Sequence, residues 1–494
     1  MSGRRPVPLG AFDLIAPAAS GTTAVIWRAV HRARRVPVAV KVMAPPPERR
    51  RARMERLFAH EARAVARLDH PGIVRLFDFG VLPALGDPRL PAGSPYLVME
   101  WIDGGTLERA AGRMVWPALR ATLLALLDAL AHAHARGVIH QDLKVANVLQ
   151  ARRGPVISDF GIALSPELPA AEPPRLLGTP DYMAPEQVEM KRHALGPWSD
   201  LYGLGCVAYA LASGLPPFAG RALAAVFDAH VHEAVPPLAP AVEVPAGFTA
   251  WVHRLLEKRP EARFRFAADA AAALAALPAG EGPTPVVLRD EAPPLPLPGT
   301  GRALFGLRET GLAGREAEQA TLTAALAEAT AGRARVVLVD GAPGLGKSRL
   351  ARWIARRAHE RGHADHLHAG RDAGGDPLGA MFARHLRATD ATGAALHARL
   401  DAALDDPALA AELAAALAPD RRFVGRRSTI AIGSPRERHE VFCRALARLA
   451  ADRPRVLVID DAHHEAEPLR FVEHLVEAWP TLPVLVVLTA CAEH

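Results

Sequence analysis

Cysteine is scarce in this chain of 494 residues. Cys206, Cys443 and Cys491 lie far apart, and none belongs to a CxxC or Cys/His cluster. That pattern excludes a disulfide framework or a zinc module and fits a reducing compartment. Long apolar runs are missing as well. LPVLVVLTACA at 482–492 is much shorter than the roughly 20 residues that span a bilayer, and Asp128, His132 and His134 interrupt the apolar stretch from Leu119 to Ala135. No transmembrane helix is expected. The opening MSGRRPVPLGAFDL has basic residues with no apolar run behind them, so it is not patterned as a signal peptide and a cytoplasmic location is expected.

Lysine is almost as rare. Only Lys41, Lys144, Lys191, Lys258 and Lys347 occur among 59 basic residues. Three of the five fall in the motifs below, where a compact ammonium cannot be exchanged for a guanidinium fork. The net charge of +6 would suit a nucleic acid, but the densest basic run, ERRRARMER at 48–56, interleaves Glu48 and Glu55 and leads into a helix. It carries no aromatic interleaving and no helix-turn-helix pattern, so no nucleic-acid motif is read here.

The length predicts two or three domains. AVIWRAV, VPVAVKVM, GIVRLFDFG and PYLVMEW read as strands, and Leu57, Phe58, Glu61, Val65 and Leu68 recur at helical spacing between the second and third. From Trp116 to about Pro278 the pattern is helical, broken by short strands around Val138, Val148 and Val156. PAGEGPTPVVLRDEAPPLPLPGTG at 278–301 reads as an extended, semi-rigid linker. Beyond it, strands such as VVLVD, VLVID and LPVLVVLTA alternate with helices, which predicts a parallel α/β sheet.

VAVKV, HEARA, HQDLKVAN, SDFG, MAPE and SDLYGLG occur in that order. Phosphoryl transfer needs such parts: a base beside the acceptor hydroxyl, oxygen ligands for magnesium, and positive charge on the nucleotide phosphates. Residues 12–278 therefore resemble a bacterial eukaryotic-type (Hanks-type) Ser/Thr protein kinase domain, a bilobal α+β fold with an N-lobe at 12–102 and a C-lobe at 103–278. The resemblance implies that Lys41 holds the α and β phosphates and pairs with Glu61. It also implies that Asp142 accepts the hydroxyl proton, that Lys144 stabilises the transferring group, and that Asn147 and Asp159 bind Mg2+. Phe160 and Gly161 complete the DFG turn, Glu186 pairs with Arg263, and Asp200 braces the catalytic loop. Ala19, Gly21, Ile26, Ala39, Met99 as gatekeeper, Glu100, Ile102 and Leu149 would form the ATP pocket.

Two departures stand out. The glycine-rich loop has Ala19, Gly21 and Ala24 at its three glycine positions, which predicts weakened ATP binding. Gln141 stands where the resemblance places an arginine that receives an activation-loop phosphate. Ser165, Thr179 and Tyr182 are essentially the only hydroxyls between Ile162 and Met183, and Thr179 is read as part of the substrate wall.

GAPGLGKS at 341–348 fits GxxxxGK[ST] between an apolar strand and a helix. Gly341, Gly344 and Gly346 would cradle phosphates, Lys347 would reach the β and γ phosphates, and Ser348 would bind Mg2+. Asp460 and Asp461 close the strand VLVID; Asp460 is read as a magnesium ligand through water and Asp461 as the residue that polarises attacking water, with His463 and His464 outside the ligand set. Residues 311–494 resemble an AAA-like P-loop ATPase of the bacterial signal-transduction type, with a sheet that stops early, joined to the kinase-like part by a Pro-rich linker at 279–310. The implied reading is an ATP- and Mg2+-dependent kinase acting on protein Ser/Thr hydroxyls, modulated by a P-loop domain, with self-association or a regulatory protein as further partners and no membrane. The alternatives weighed are a pseudokinase scaffold with nucleotide-gated binding, and a transcriptional regulator whose DNA-binding end lies elsewhere.

Overall fold

The computed structural model describes residues 5–21, 24–45, 48, 51–160, 178–280, 297–301, 304, 312–370, 376–389, 391–417 and 434–491. Gly161 and Ser165 lie outside this set, as does the side chain of Glu61. The chain divides into two compact units, Met1–Thr310 and Gly311–His494.

The first unit opens with six antiparallel strands: β1 Val7–Leu9, β2 Phe12–Ser20, β3 Ala24–His31, β4 Pro37–Met43, β5 Leu76–Val81 and β6 Pro95–Glu100. They pair in the order β1-β2-β3-β4-β6-β5, which leaves β5 at an edge. Successive side chains of a strand face opposite ways, so Val38, Val40 and Val42 enter one core with Trp27 and Val98. Ala39 enters the other, with Met99. The helix Arg51–Ala66 contributes Ala62 and Ala66 to that second core.

The rest of this unit is helical. The helix Trp116–His134 starts with Pro117 in its first turn, where a missing N–H costs nothing. The helix Pro197–Ser213 is buried from Ser199 to Ala212, as its nearly uninterrupted apolar sequence requires, and Gly214 in a left-handed conformation ends it. Between these helices a two-stranded ribbon, β7 Val148–Ala151 and β8 Gly154–Ile157, carries the loops of the candidate site. Val138, read from sequence as part of a strand, is in a loop instead. Its N–H closes the preceding helix end on the Ala133 carbonyl, so it cannot join a ladder.

In the second unit β9 Arg335–Asp340, β10 Asp365–Ala369, β11 Arg455–Ile459 and β12 Val484–Ala490 form a parallel sheet in the order β10-β11-β12-β9. β11 is buried throughout and β12 almost throughout, as expected for inner strands covered on both faces. Helices Glu316–Thr330 and Lys347–Glu360 pack into one apolar core, and Pro377–His385, Pro435–Ala450 and Ala466–Ala478 into another. Among the described residues no helix is long and apolar enough to cross a membrane.

Candidate functional site: two phosphate-handling loops

In the first unit the polar groups converge on Asp142. Its Oδ2 accepts hydrogen bonds from Lys144 Nζ at 3.0 Å and Asn147 Nδ2 at 3.0 Å. Its Oδ1 accepts one from Thr179 Oγ1 at 2.8 Å, and Lys144 Nζ also donates to that hydroxyl at 2.5 Å. One carboxylate is thus held between a cation, an amide and a hydroxyl. Lys41 Nζ lies 2.9 Å from Asp159 Oδ1, so the strand lysine and the acid of the SDFG turn meet.

The loop is fixed from below by Asp200. Its Oδ2 takes the His140 N–H at 2.8 Å and bonds His134 Nε2 at 2.8 Å, while Oδ1 takes the Gln141 N–H at 2.8 Å. Gln141 has φ +65°, outside the range most side chains adopt, and these bonds hold it there. Gln187 Nε2 donates to its carbonyl at 2.8 Å. Its own Nε2 is buried and has no partner among the described residues. Glu186 and Arg263 form a buried bidentate pair at 2.9 and 3.0 Å, with Ser199 Oγ donating to Glu186 at 2.7 Å.

Ala39 and Met99 are register partners on β4 and β6, and Ile26 and Ile102 pack into their core; Leu149 is on β7, bridged to Thr106. Ala19 and Ala24 stand on the β2–β3 hairpin, and neither has a positive φ. Their methyl groups carry no backbone strain in this conformation, and a Cβ on Gly21 would make only an ordinary contact with the Ala24 carbonyl at 3.7 Å.

In the second unit the loops at the carboxyl ends of the strands carry the polar groups, where open α/β sheets bind ligands. Gly344 and Gly346 both have φ +82°, a backbone that lets successive N–H groups turn inward ahead of the helix Lys347–Glu360. Lys347 Nζ donates to the carbonyls of Gly341 at 2.7 Å and Ala342 at 3.0 Å, and Ser348 follows in the first turn. At the end of β11, Asp460 Oδ1 accepts from Thr489 Oγ1 at 2.6 Å, and that hydroxyl accepts the Asp461 N–H at 2.9 Å. His463 and His464 stack on each other at 3.9 Å.

The protein kinase domain model matches residues 17–273, just over half of the chain. The chain belongs to the protein kinase family. The AAA ATPase domain model matches residues 311–487. Serine/threonine-protein kinase PknA of Mycobacterium tuberculosis is 37% identical over 289 residues, 57% of this chain and 65% of that protein. Serine/threonine-protein kinase Pkn1 of Myxococcus xanthus is 37% identical over 269 residues, 52% of this chain and 37% of its own length. PknB of Mycobacterium tuberculosis is 35% identical over 243 residues, 47% of this chain and 38% of that protein. The kinase thus spans less than two thirds of each relative's length. Both matched domain families use ATP.

Several residues that shape these sites were not read from the sequence. Arg153, in the turn between β7 and β8, grips Glu100 through two bonds of 2.6 and 2.7 Å and so ties the end of β6 to the β7–β8 ribbon. His140 Nε2 donates to the Ser158 carbonyl at 3.0 Å and its ring lies 4.7 Å from that of Phe160. Thr489 joins Asp460 to Asp461; a lone hydroxyl at the end of an apolar strand was its only signal. His359, Asp365 and His366 are close enough to suggest a cation site. However, Arg455 is buried 3.6 Å from the Asp365 carboxylate and His385 lies 3.9 Å away. Burial alone would raise the Asp365 pKa, yet the His359 hydrogen bond and the surrounding positive charges hold it well below the usual range. A carboxylate already neutralised in this way is a charge network, and the guanidinium opposes a dication.

Proposed function

We propose that this protein transfers the γ-phosphoryl group of ATP to serine or threonine hydroxyls of proteins, and that its P-loop part binds a second nucleotide and regulates the transfer. One observation carries the reading: the Asp142 carboxylate is positioned by Lys144 and Asn147 and already accepts a threonine hydroxyl at 2.8 Å, the contact that an acceptor hydroxyl needs. The names of the similar bacterial kinases support the same class of acceptor.

In this reading the kinase domain covers 12–278, with lobes at 12–102 and 103–278, followed by a connecting segment at 279–310 and the P-loop domain at 311–494. Asp142 orients the acceptor and takes its proton, and Lys144 offsets charge on the transferring group. Lys41, paired with Glu61, places the phosphates. Ala19, Gly21, Ile26, Ala39, Met99, Glu100, Ile102 and Leu149 line the ATP pocket, with Ile26, Ala39 and Leu149 sandwiching the base. Asp159 and Asn147 offer the hard oxygen donors that magnesium takes. Magnesium, when bound, neutralises phosphate charge. Lys41 Nζ lies 2.9 Å from Asp159 Oδ1, which places the phosphate-binding cation beside one of these donors. In the second domain Gly341, Gly344, Gly346, Lys347 and Ser348 hold phosphates, with Asp460 and Asp461 on the metal and water side. A cytoplasmic location and a regulatory protein or second copy as partner complete the proposal.

The test is transfer of γ-labelled phosphate to a basic acceptor protein by the wild type, Asp142→Ala and Lys347→Ala. Label on the acceptor that disappears with Asp142→Ala supports the reading. Equal labelling by wild type and Asp142→Ala, at background, removes it.

A further inference from the structure

Within the segment read as linker, Leu297 and Leu304 are only 6% and 7% exposed. They are buried in different places. Leu297 joins the core of Phe77 and Val98, and Leu304 joins that of Leu76 and Met99. Phe77 and Leu76 are neighbours on one strand, as are Val98 and Met99, so the two cores occupy opposite faces of the six-stranded sheet. Leu297 and Leu304 therefore lie on opposite faces, and Gly301 comes up against the edge strand β5.

Three contacts fix that path. His31 Nε2 donates to the Pro298 carbonyl at 2.9 Å, and the His31 ring is itself held edge-on against Phe12. The Asp78 carboxylate accepts the Gly301 N–H. Gly301 has φ +69°, and a Cβ there would lie 3.1 Å from the Phe77 carbonyl oxygen, so the close approach to β5 favours glycine. Covering an edge strand would by itself be a stabilising device. Leu304 does more than that, because its core also holds Ala62 and Ala66 of the helix Arg51–Ala66 and Met99 at the candidate ATP pocket. Ala62 is next in sequence to Glu61.

We propose that residues 297–301 together with Leu304 are a positioning strap: seated, they hold the helix Arg51–Ala66 against the sheet and keep Glu61 in register with Lys41; released, they let the helix loosen and transfer slows. The inference rests on the kinase reading for its catalytic consequence. Only a few residues separate Leu304 from Gly311, the first residue of the second unit, so that unit has a covalent handle on the strap.

The experiment uses the full chain as wild type, Leu304→Asp, Leu304→Met and His31→Phe. Hydrogen exchange is read over residues 51–66 and 297–304, and γ-phosphate transfer is measured on myelin basic protein at saturating ATP. Leu304→Asp is expected to speed exchange in 51–66 and to lower kcat by about tenfold, while Leu304→Met preserves both. His31→Phe, which keeps the ring packing and loses the strap hydrogen bond, is expected to speed exchange in both segments to a smaller extent, and it decides the matter if Leu304→Asp does not fold. Unchanged exchange in 51–66, or faster exchange with undiminished transfer, overturns the strap. Absence of transfer in the wild type would instead sink the kinase reading, leaving the exchange data to decide whether the strap holds the helix.

Discussion

The Asp142 carboxylate has three side-chain partners among the described residues, and one of the two uncharged ones is Thr179. Its hydroxyl donates to Asp142 and accepts from Lys144. Thr179→Val keeps the shape and removes both of these bonds, so kcat should fall by roughly 10-fold or more, with Thr179→Ser retaining most of it; steady-state transfer assays check this. The loss should lie in kcat rather than in the KM for ATP. His230 gives a second prediction at this scale. Burial, together with the nearby Lys258 charge, pushes its pKa from 6.5 down to about 4. The unfolded chain therefore takes up a proton between those values and the folded chain does not. Stability is fully present above pH 6.5 and is lost as pH falls toward 4, by up to about 1.4 kcal/mol per pH unit. His230→Phe should flatten that slope in urea melts, since the ring contacts with Tyr202 and Phe218 can persist without a titrating group. At this scale the sequence was most legible. Asp142, Lys144, Asn147 and Asp159 are read through the resemblance that HQDLKVAN and SDFG carry, and the structure brings Lys144 and Asn147 to the Asp142 carboxylate. Thr489 and Arg153 were not read, because their partners are distant in the chain.

A single side chain can join elements far apart in the chain, and the Glu186–Arg263 pair illustrates this. It joins the short helix Pro185–Val188 to the loop before the helix Ala267–Ala275, and Arg263 also donates to the carbonyls of Glu257, Lys258 and Trp198. Arg263→Ala leaves a buried carboxylate with only Ser199 and should cost about 3–5 kcal/mol in chemical denaturation. Arg263→Ala combined with Glu186→Gln should cost less than the sum of the single changes, because the stranded charge is gone. The pairing was read from the sequence by resemblance; Ser199 and the three carbonyls were not. Strands and long helices were readable from periodicity. Val138 was misread because the β-branched pair Val138–Ile139 after Gly137 looks like a short strand, while the backbone bond to Ala133 that forbids it is a matter of how a helix ends.

At the scale of the whole molecule the question is whether the two nucleotide loops act together. Lys347 holds two P-loop carbonyls through its ammonium, and Lys347→Ala removes the charge that would reach a phosphate. Nucleotide affinity of the P-loop unit should fall by at least about tenfold, read by fluorescent nucleotide titration. If the units are coupled, phosphate transfer by the first unit changes as well. An unchanged transfer rate in Lys347→Ala, with nucleotide binding lost, would show them to be independent. The sequence by itself determined the spacing of the candidate phosphate-handling groups, the strand-rich then helical order of the first unit, and the alternation of strand and helix in the second. Those are properties of neighbours along the chain, set by local geometry and by side-chain type. Only the tertiary structure decided that Lys41 meets Asp159, that Asp200 holds a strained Gln141, that Thr489 bridges Asp460 and Asp461, and that part of a proline-rich linker is buried on both faces of a sheet. Each of those depends on which surfaces bury each other, and composition does not encode that.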